Sequence, residues 1–266
     1  MAKDDFENGV WRTVGGRRIF IKNGEDLSTA MKKSGKFSNK KEEQKEQFKR
    51  IGKTAIQLDG MEEEYKKDIE EQLDILNQEY NNNLYGIEYS NEKVKHFGNI
   101  AMAETEGNEY QTSIKINGYG NKEEFNKMLK NEIAKGNIVN VDEENYGKYL
   151  VTHEYGHAIT EFNMTQSYKT KIENIKKDYI IHSATLEKEM KEKTNDFLMN
   201  GNTESWKKAE EINKELHKIR VSKYALTDTS EFTAECFANA KLSSNPSEYS
   251  LKVLELINQS NKKWKW

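Results

Sequence analysis

Along this chain, apolar residues recur with a period of two in a few short runs and with a period near 3.6 over most of the rest. Val10 to Val14 and Arg17 to Lys22 flank Gly15-Gly16, and the second run alternates Ile19 and Ile21 with Arg18 and Phe20, which predicts a β-hairpin. An isolated hairpin is marginal, and Asp26 to Met31 reads as a short helix that caps one of its faces, so residues 1–37 form a small module. From Ser38 to about Gln78, Phe48, Ile51, Ile56, Leu58, Met61, Tyr65, Ile69 and Leu73 stand at loosely helical spacing among Lys, Glu and Gln. This predicts one or two amphipathic helices, interrupted near Asp59-Gly60, and a charged helical linker over residues 38–80.

After the loop at Asn81-Asn82-Asn83, short β-like runs occur at Gly98 to Ala103 and Gln111 to Asn117. Within the second, Ser113-Ile114-Lys115-Ile116 alternates as a strand with one wet face. A helix is expected from Asn121 to Lys135, and another from an Asp142 N-cap to about Asn163. Lys171 to Lys223 reads as two charged helices joined near Asn200-Gly201-Asn202. The expected fold is α+β, a mostly helical domain over residues 81–266 with a small twisted sheet.

Composition narrows the function classes. One third of the 266 residues are charged, which suits long solvated helices. Lys and Arg number 42 against 45 Asp and Glu, so no net field favours nucleic acid or an anionic membrane, and neither is expected as a partner. Cys236, the single cysteine, has no partner for an internal disulfide and reads as a packed small apolar residue. There is neither a secretory signal at the N-terminus nor an apolar run that would cross a bilayer, so the expected location is cytoplasmic, with association with a virion or export by another route as the alternatives.

The stretch Val151-Thr152-His153-Glu154-Tyr155-Gly156-His157-Ala158 carries the chemistry. On a helix, residues i and i+4 share a face, so His153 and His157 can direct imidazole nitrogens at one zinc ion. Glu154 points about 100° round the helix from His153, beside the metal, where its carboxylate can take a proton from activated water. Gly156 leaves room for a substrate strand or a neighbouring backbone. His96, His182 and His217 have no such spacing and read as ordinary polar positions.

A catalytic zinc centre takes three protein ligands and leaves one position open. Asn163 occupies the position where a metzincin-like site needs a third histidine, which removes that class. The remaining candidates lie in Tyr224-Ala-Leu-Thr-Asp-Thr-Ser-Glu231-Phe-Thr-Ala-Glu235-Cys-Phe. Glu231 and Glu235 are four apart on a segment whose Phe232, Ala234, Phe237 and Ala238 mark it as a core helix. Either Glu231 binds the metal and Glu235 receives the other ring N–H of a histidine ligand, or the two roles are exchanged.

His153-Glu-Tyr-Gly-His157-Ala, followed by Tyr224 and Glu231-Phe-Thr-Ala-Glu235-Cys-Phe, resembles the catalytic domain of anthrax lethal factor and related gluzincin peptidases over roughly residues 85–260. The resemblance implies a zincin-like fold and a zinc metalloendopeptidase with one Zn2+ held by His153, His157 and Glu231. It also implies Glu154 as the base and Tyr224 as donor to the developing oxyanion. Thr233 and Cys236 depart from the family pattern, at positions away from the presumed ligands. An extended protein or peptide substrate is expected to pair with the strand edge formed by Ser113, Ile114, Lys115 and Ile116. The segment Val10 to Lys22, with Met31 to Phe37, resembles short modules of phage minor head proteins. That implies a phage or host protein partner for the hairpin, and as an alternative function a non-catalytic assembly protein that retains the zinc fold.

Overall fold

The computed structural model describes residues 9–14, 17–22, 49–92, 95–96, 99–100, 102–108 and 110–262. The chain divides into two compact units, residues Met1–Phe48 and Lys49–Trp266. The first contains the expected hairpin, β1 (Gly9–Val14) antiparallel to β2 (Arg17–Lys22), with Val10 opposite Ile21. The helix expected over 26–31, the stretch 38–48 and the C-terminal Trp264 and Trp266 lie outside the described residues.

In the second unit, β3 (Lys49–Ile51) and β4 (Thr54–Gln57) form a hairpin, followed by helix α1 (Glu63–Glu79), β5 (Leu84–Ser90) and the two-residue strands β6 (Lys95–His96) and β7 (Asn99–Ile100). Strands β8 (Ala103–Gly107) and β9 (Thr112–Asn117) complete a five-stranded sheet of order β3-β4-β5-β9-β8. Helices α2 (Lys122–Ala134), α3 (Tyr146–Asn163), α4 (Gln166–Asn200), α5 (Thr203–Ile219), α6 (Thr229–Leu242) and α7 (Glu248–Lys262) follow. The fold is α+β and mostly helical, as the periodicities indicate.

Two expectations about residues 38–80 are corrected. The unit begins at Lys49, not at residue 81, because β4 pairs in parallel with β5 and so belongs to the sheet. Residues 49–57 are strands, not helix: Gly52 takes a left-handed φ of 58° in the tight turn, and Thr54 and Ile56 are buried with Ala55 and Gln57 turned outward. The helical reading holds for α1, whose Tyr65, Ile69, Leu73 and Leu76 form a fully buried stripe.

The sheet is mixed: β4, β5 and β9 run parallel, and β3 and β8 are antiparallel at the two edges. Ile56, Ile87 and Ile114 stand in register across it, and Thr105 of β8 ends the row. The three isoleucines are buried. The proposed substrate edge at Ser113 to Ile116 is therefore corrected: β9 is paired on both sides, to β5 and β8, and offers no free edge. Its alternation is real, with Ser113 exposed and Ile114 and Ile116 buried, but alternation separates the faces of a strand, not its edges. The sheet's edge on this side is β8.

Helix α3 is buried on nearly every side, from Tyr149 to Thr160 without a break. A helix apolar or sequestered all round belongs at the centre of a domain. It lies against α1, β8, β9 and α6. Asp142 does not cap it; a 3-10 turn at Glu143–Asn145 intervenes, and the Asp142 carboxylate accepts hydrogen bonds from Ser244 N at 2.7 Å and Ser244 Oγ at 3.2 Å. The connection between the two charged helices falls where expected, with Gly201 left-handed at the end of α4 and the Asn202 side chain capping α5.

Candidate metal centre

Helices α3 and α6 approach closely because Gly156 has no side chain. A Cβ there would lie 3.0 Å from Ala234 Cα and 3.4 Å from Phe237 Cβ. Of the two openings that the sequence suggested for Gly156, the structure uses the one for a neighbouring backbone. Asp228 caps α6 by accepting from Glu231 N at 2.9 Å, which fixes Glu231 in the first turn facing the histidines.

Three atoms converge. His153 Nε2 and His157 Nε2 are 3.2 Å apart, and Glu231 Oε2 lies 3.2 Å from the first and 3.4 Å from the second. A tetrahedral metal with ligands at roughly 2.0–2.1 Å spaces its ligand atoms about 3.3 Å apart, so the triangle has the size of one face of such a polyhedron. Glu231 Oε2 is buried and faces the two imidazole Nε2 atoms without a well-directed hydrogen bond to either, an arrangement that a shared cation would satisfy better than the imidazoles do. His153, His157 and Glu231 thus form a cluster that could hold a metal ion.

The outer ring nitrogens are anchored. His153 Nδ1 is 3.0 Å from Glu235 Oε1, which also accepts from the Tyr149 hydroxyl, while Glu235 Oε2 accepts from Val139 N at 2.8 Å. Both carboxylate oxygens of Glu235 are taken, so of the two glutamates it is Glu231 that faces the centre and Glu235 that orients a histidine. His157 Nδ1 lies 2.8 Å from Ser230 Oγ and 3.2 Å from Glu161 Oε1, and Ser230 donates to Glu161. With both Nδ1 atoms facing acceptors, the Nε2 lone pairs point inward. Glu161 and Ser230 were not singled out in the sequence, although Glu161 follows His157 by four and shares its face. They also line a neighbouring cavity of about 220 Å³ floored by Met164 and Ile172.

Electrostatics follow from these contacts. Burial pushes the His157 imidazole down, and the carboxylates of Glu161 and Glu231 outweigh it, raising it to about 9. His153 is likewise depressed by burial but held well above its usual value by Glu231 and Glu235. Burial opposes the charge on Glu231, yet the two histidines hold its carboxyl below the usual range. These are the charges of the metal-free cluster, and a cation replaces the protons.

The Glu154 carboxylate is buried beside the triangle and accepts from Thr105 Oγ1 at 2.7 Å. Tyr224, on the 3-10 turn Tyr224–Leu226, lies with its ring 6.1 Å from that of His153 and donates its hydroxyl to Glu231 Oε1 at 2.9 Å. Burial, then the Glu231 carboxylate, push the phenol up, so it remains a donor at neutral pH. The turn is held from α4 by Lys176, whose Nζ donates to Leu226 O at 3.2 Å. Thr233 bonds within its own helix and Cys236 is fully buried, and neither is part of the cluster. His182 Nδ1 faces the Tyr249 hydroxyl, outside it. Among the described residues, no helix is long and apolar enough to cross a membrane.

No family model, curated protein or solved structure matches the chain.

Proposed function

We propose that the chain is a zinc-dependent endopeptidase of the gluzincin kind, similar in its site to anthrax lethal factor. The observation that carries this reading is the triangle of His153 Nε2, His157 Nε2 and the buried Glu231 Oε2, with the Glu154 carboxylate beside it. Two imidazoles and one carboxylate suit zinc and leave a position open.

When bound, zinc supplies Lewis-acid polarisation and acidifies water. His153, His157 and Glu231 hold the ion, Glu235 orients His153, and Glu161 with Ser230 orients His157. Glu154 takes the proton of the attacking water and delivers it to the leaving amine. The Tyr224 hydroxyl turns from Glu231 to hydrogen-bond the oxyanion that forms at the scissile carbonyl. An extended peptide pairs with the edge strand β8, one strand over from the edge expected at Ser113 to Ile116.

The test compares wild type with Glu154→Gln, measuring bound zinc by mass spectrometry and cleavage by proteome-wide N-terminal profiling. Both proteins should hold one zinc, and only the wild type should generate new N-termini. Full zinc with no cleavage by the wild type would instead favour the non-catalytic assembly role, in which β1 and β2 meet a phage or host partner. Cleavage that survives in Glu154→Gln would remove Glu154 as the base.

A further inference from the structure

Thr105 stands where the buried row Ile56, Ile87 and Ile114 would continue onto the edge strand. In place of a fourth aliphatic side chain, β8 presents a hydroxyl to α3. Its Oγ1 lies 2.7 Å from Glu154 Oε2 and 3.1 Å from the Glu154 main-chain carbonyl oxygen. The hydroxyl has a single proton, and the shorter distance assigns it to the carboxylate, with the carbonyl oxygen as a weaker second acceptor. A glutamate side chain has three rotatable bonds, and a donor held on a strand at its far end narrows the rotamers open to it. Among the described residues, Thr105 is the donor that reaches this carboxylate.

We infer that Thr105 is a positioning residue that sets the Glu154 carboxylate for proton transfer and links its placement to the strand on which the substrate lies. The inference rests on the peptidase reading. Oε2 is committed to Thr105, so Oε1 is the oxygen left to receive the proton of water. Because Thr105 belongs to the sheet edge, a peptide that pairs with β8 lies on the strand that holds the base. Docking and base alignment then depend on the same five residues, Ala103 to Gly107. A residue ordered for catalysis through another group contributes through geometry, and misplacement of a base by about 1 Å costs roughly 100-fold in rate.

Two replacements separate this role from a purely structural one. Thr105→Val keeps the β-branched shape that favours a strand and removes the donor; Thr105→Ser keeps the donor and loses the branching. In the full zinc-loaded chain, Thr105→Val should lower kcat about 10- to 100-fold with KM within about twofold, and Thr105→Ser should stay within about threefold of wild type. Zinc content should be equal in all three. Crystal structures of the zinc-loaded proteins give a reading independent of turnover: the Glu154 carboxylate should leave its place by about 1 Å or more in Thr105→Val and keep it in Thr105→Ser. A carboxylate unmoved in Thr105→Val, a loss confined to KM, or a serine variant as impaired as the valine one would overturn the inference. If the wild type cleaves no peptide while it retains zinc, the peptidase reading fails, and the position of Glu154 in the Thr105→Val crystal still decides whether Thr105 orients it.

Discussion

Glu235 Oε1 lies 3.0 Å from His153 Nδ1 at the bottom of the contact between α3 and α6, and this carboxylate is wholly withdrawn from solvent. Its second oxygen is held by the main chain at Val139, so Glu235 cannot turn to the centre of the cluster without abandoning a buried N–H. Glu235→Gln keeps the shape but weakens the hold on the ring, and zinc affinity should fall about 10- to 100-fold. Glu231→Gln removes a ligand and should cost more. Competition with a chromophoric chelator ranks the two, and the reverse order would exchange their roles.

Zinc binding should be linked to pH through His157. Its folded pKa is raised to about 9, above the ordinary value of 6.5, so in the metal-free protein the charged ring contributes stability that is full below about 6.5 and lost as pH rises through 9. A ligand must be neutral, and each zinc bound below that range displaces protons. Apparent zinc affinity should therefore climb from pH 6.5 to 9, while the Tm of the metal-free protein falls over the same interval. Calorimetric titration in buffers of different ionisation enthalpy counts the protons released, and a flat affinity profile would contradict the assignment.

Gly156→Ala should disturb packing and the site together. The added carbon meets backbone at 3.0 Å, which has no free end to swing away. Overpacking of this kind costs about 1–3 kcal/mol, read as a lower urea midpoint with an unchanged slope. Because the same carbon pushes Glu231 away from the histidines, zinc affinity should drop in parallel. Recovery of affinity at full destabilisation would show that α3 and α6 are not the pair that sets the triangle.

The parts of the site legible from the chain are those that depend on one helix at a time. His153, Glu154 and His157 follow from one i, i+4 spacing, and Glu231 and Glu235 from another. The same i, i+4 rule applied once more would have found Glu161. Thr105 was beyond reach because it depends on strand order: which of β8 and β9 lies outermost is decided by the parallel pairing of β9 with β5, and no period in either strand records it. The misreading of residues 49–57 has a related cause. Ile51 and Ile56 fit a loose helical spacing when they are joined to Tyr65 and Ile69, and only the left-handed turn at Gly52 and the pairing of β4 with β5 make them strands. The last helix, α7, falls under the general expectation of a mostly helical domain over residues 81–266, with no period of its own singled out.

Between α3 and α6, the two helices that carry the cluster, the chain makes a long excursion along α4 and back along α5. Along α4 the buried side chains, Tyr168, Ile172, Lys176 and Tyr179, all fall in its first half, and Leu198 and Met199 near the far end are exposed. The turn at Gly201 has open space around it. The His153, His157 and Glu231 cluster thus leaves the tip of this arm uncommitted, and Gly201 is a natural point to open the chain: new termini or a fluorescent domain could be placed there as a reporter with α3 and α6 left in register.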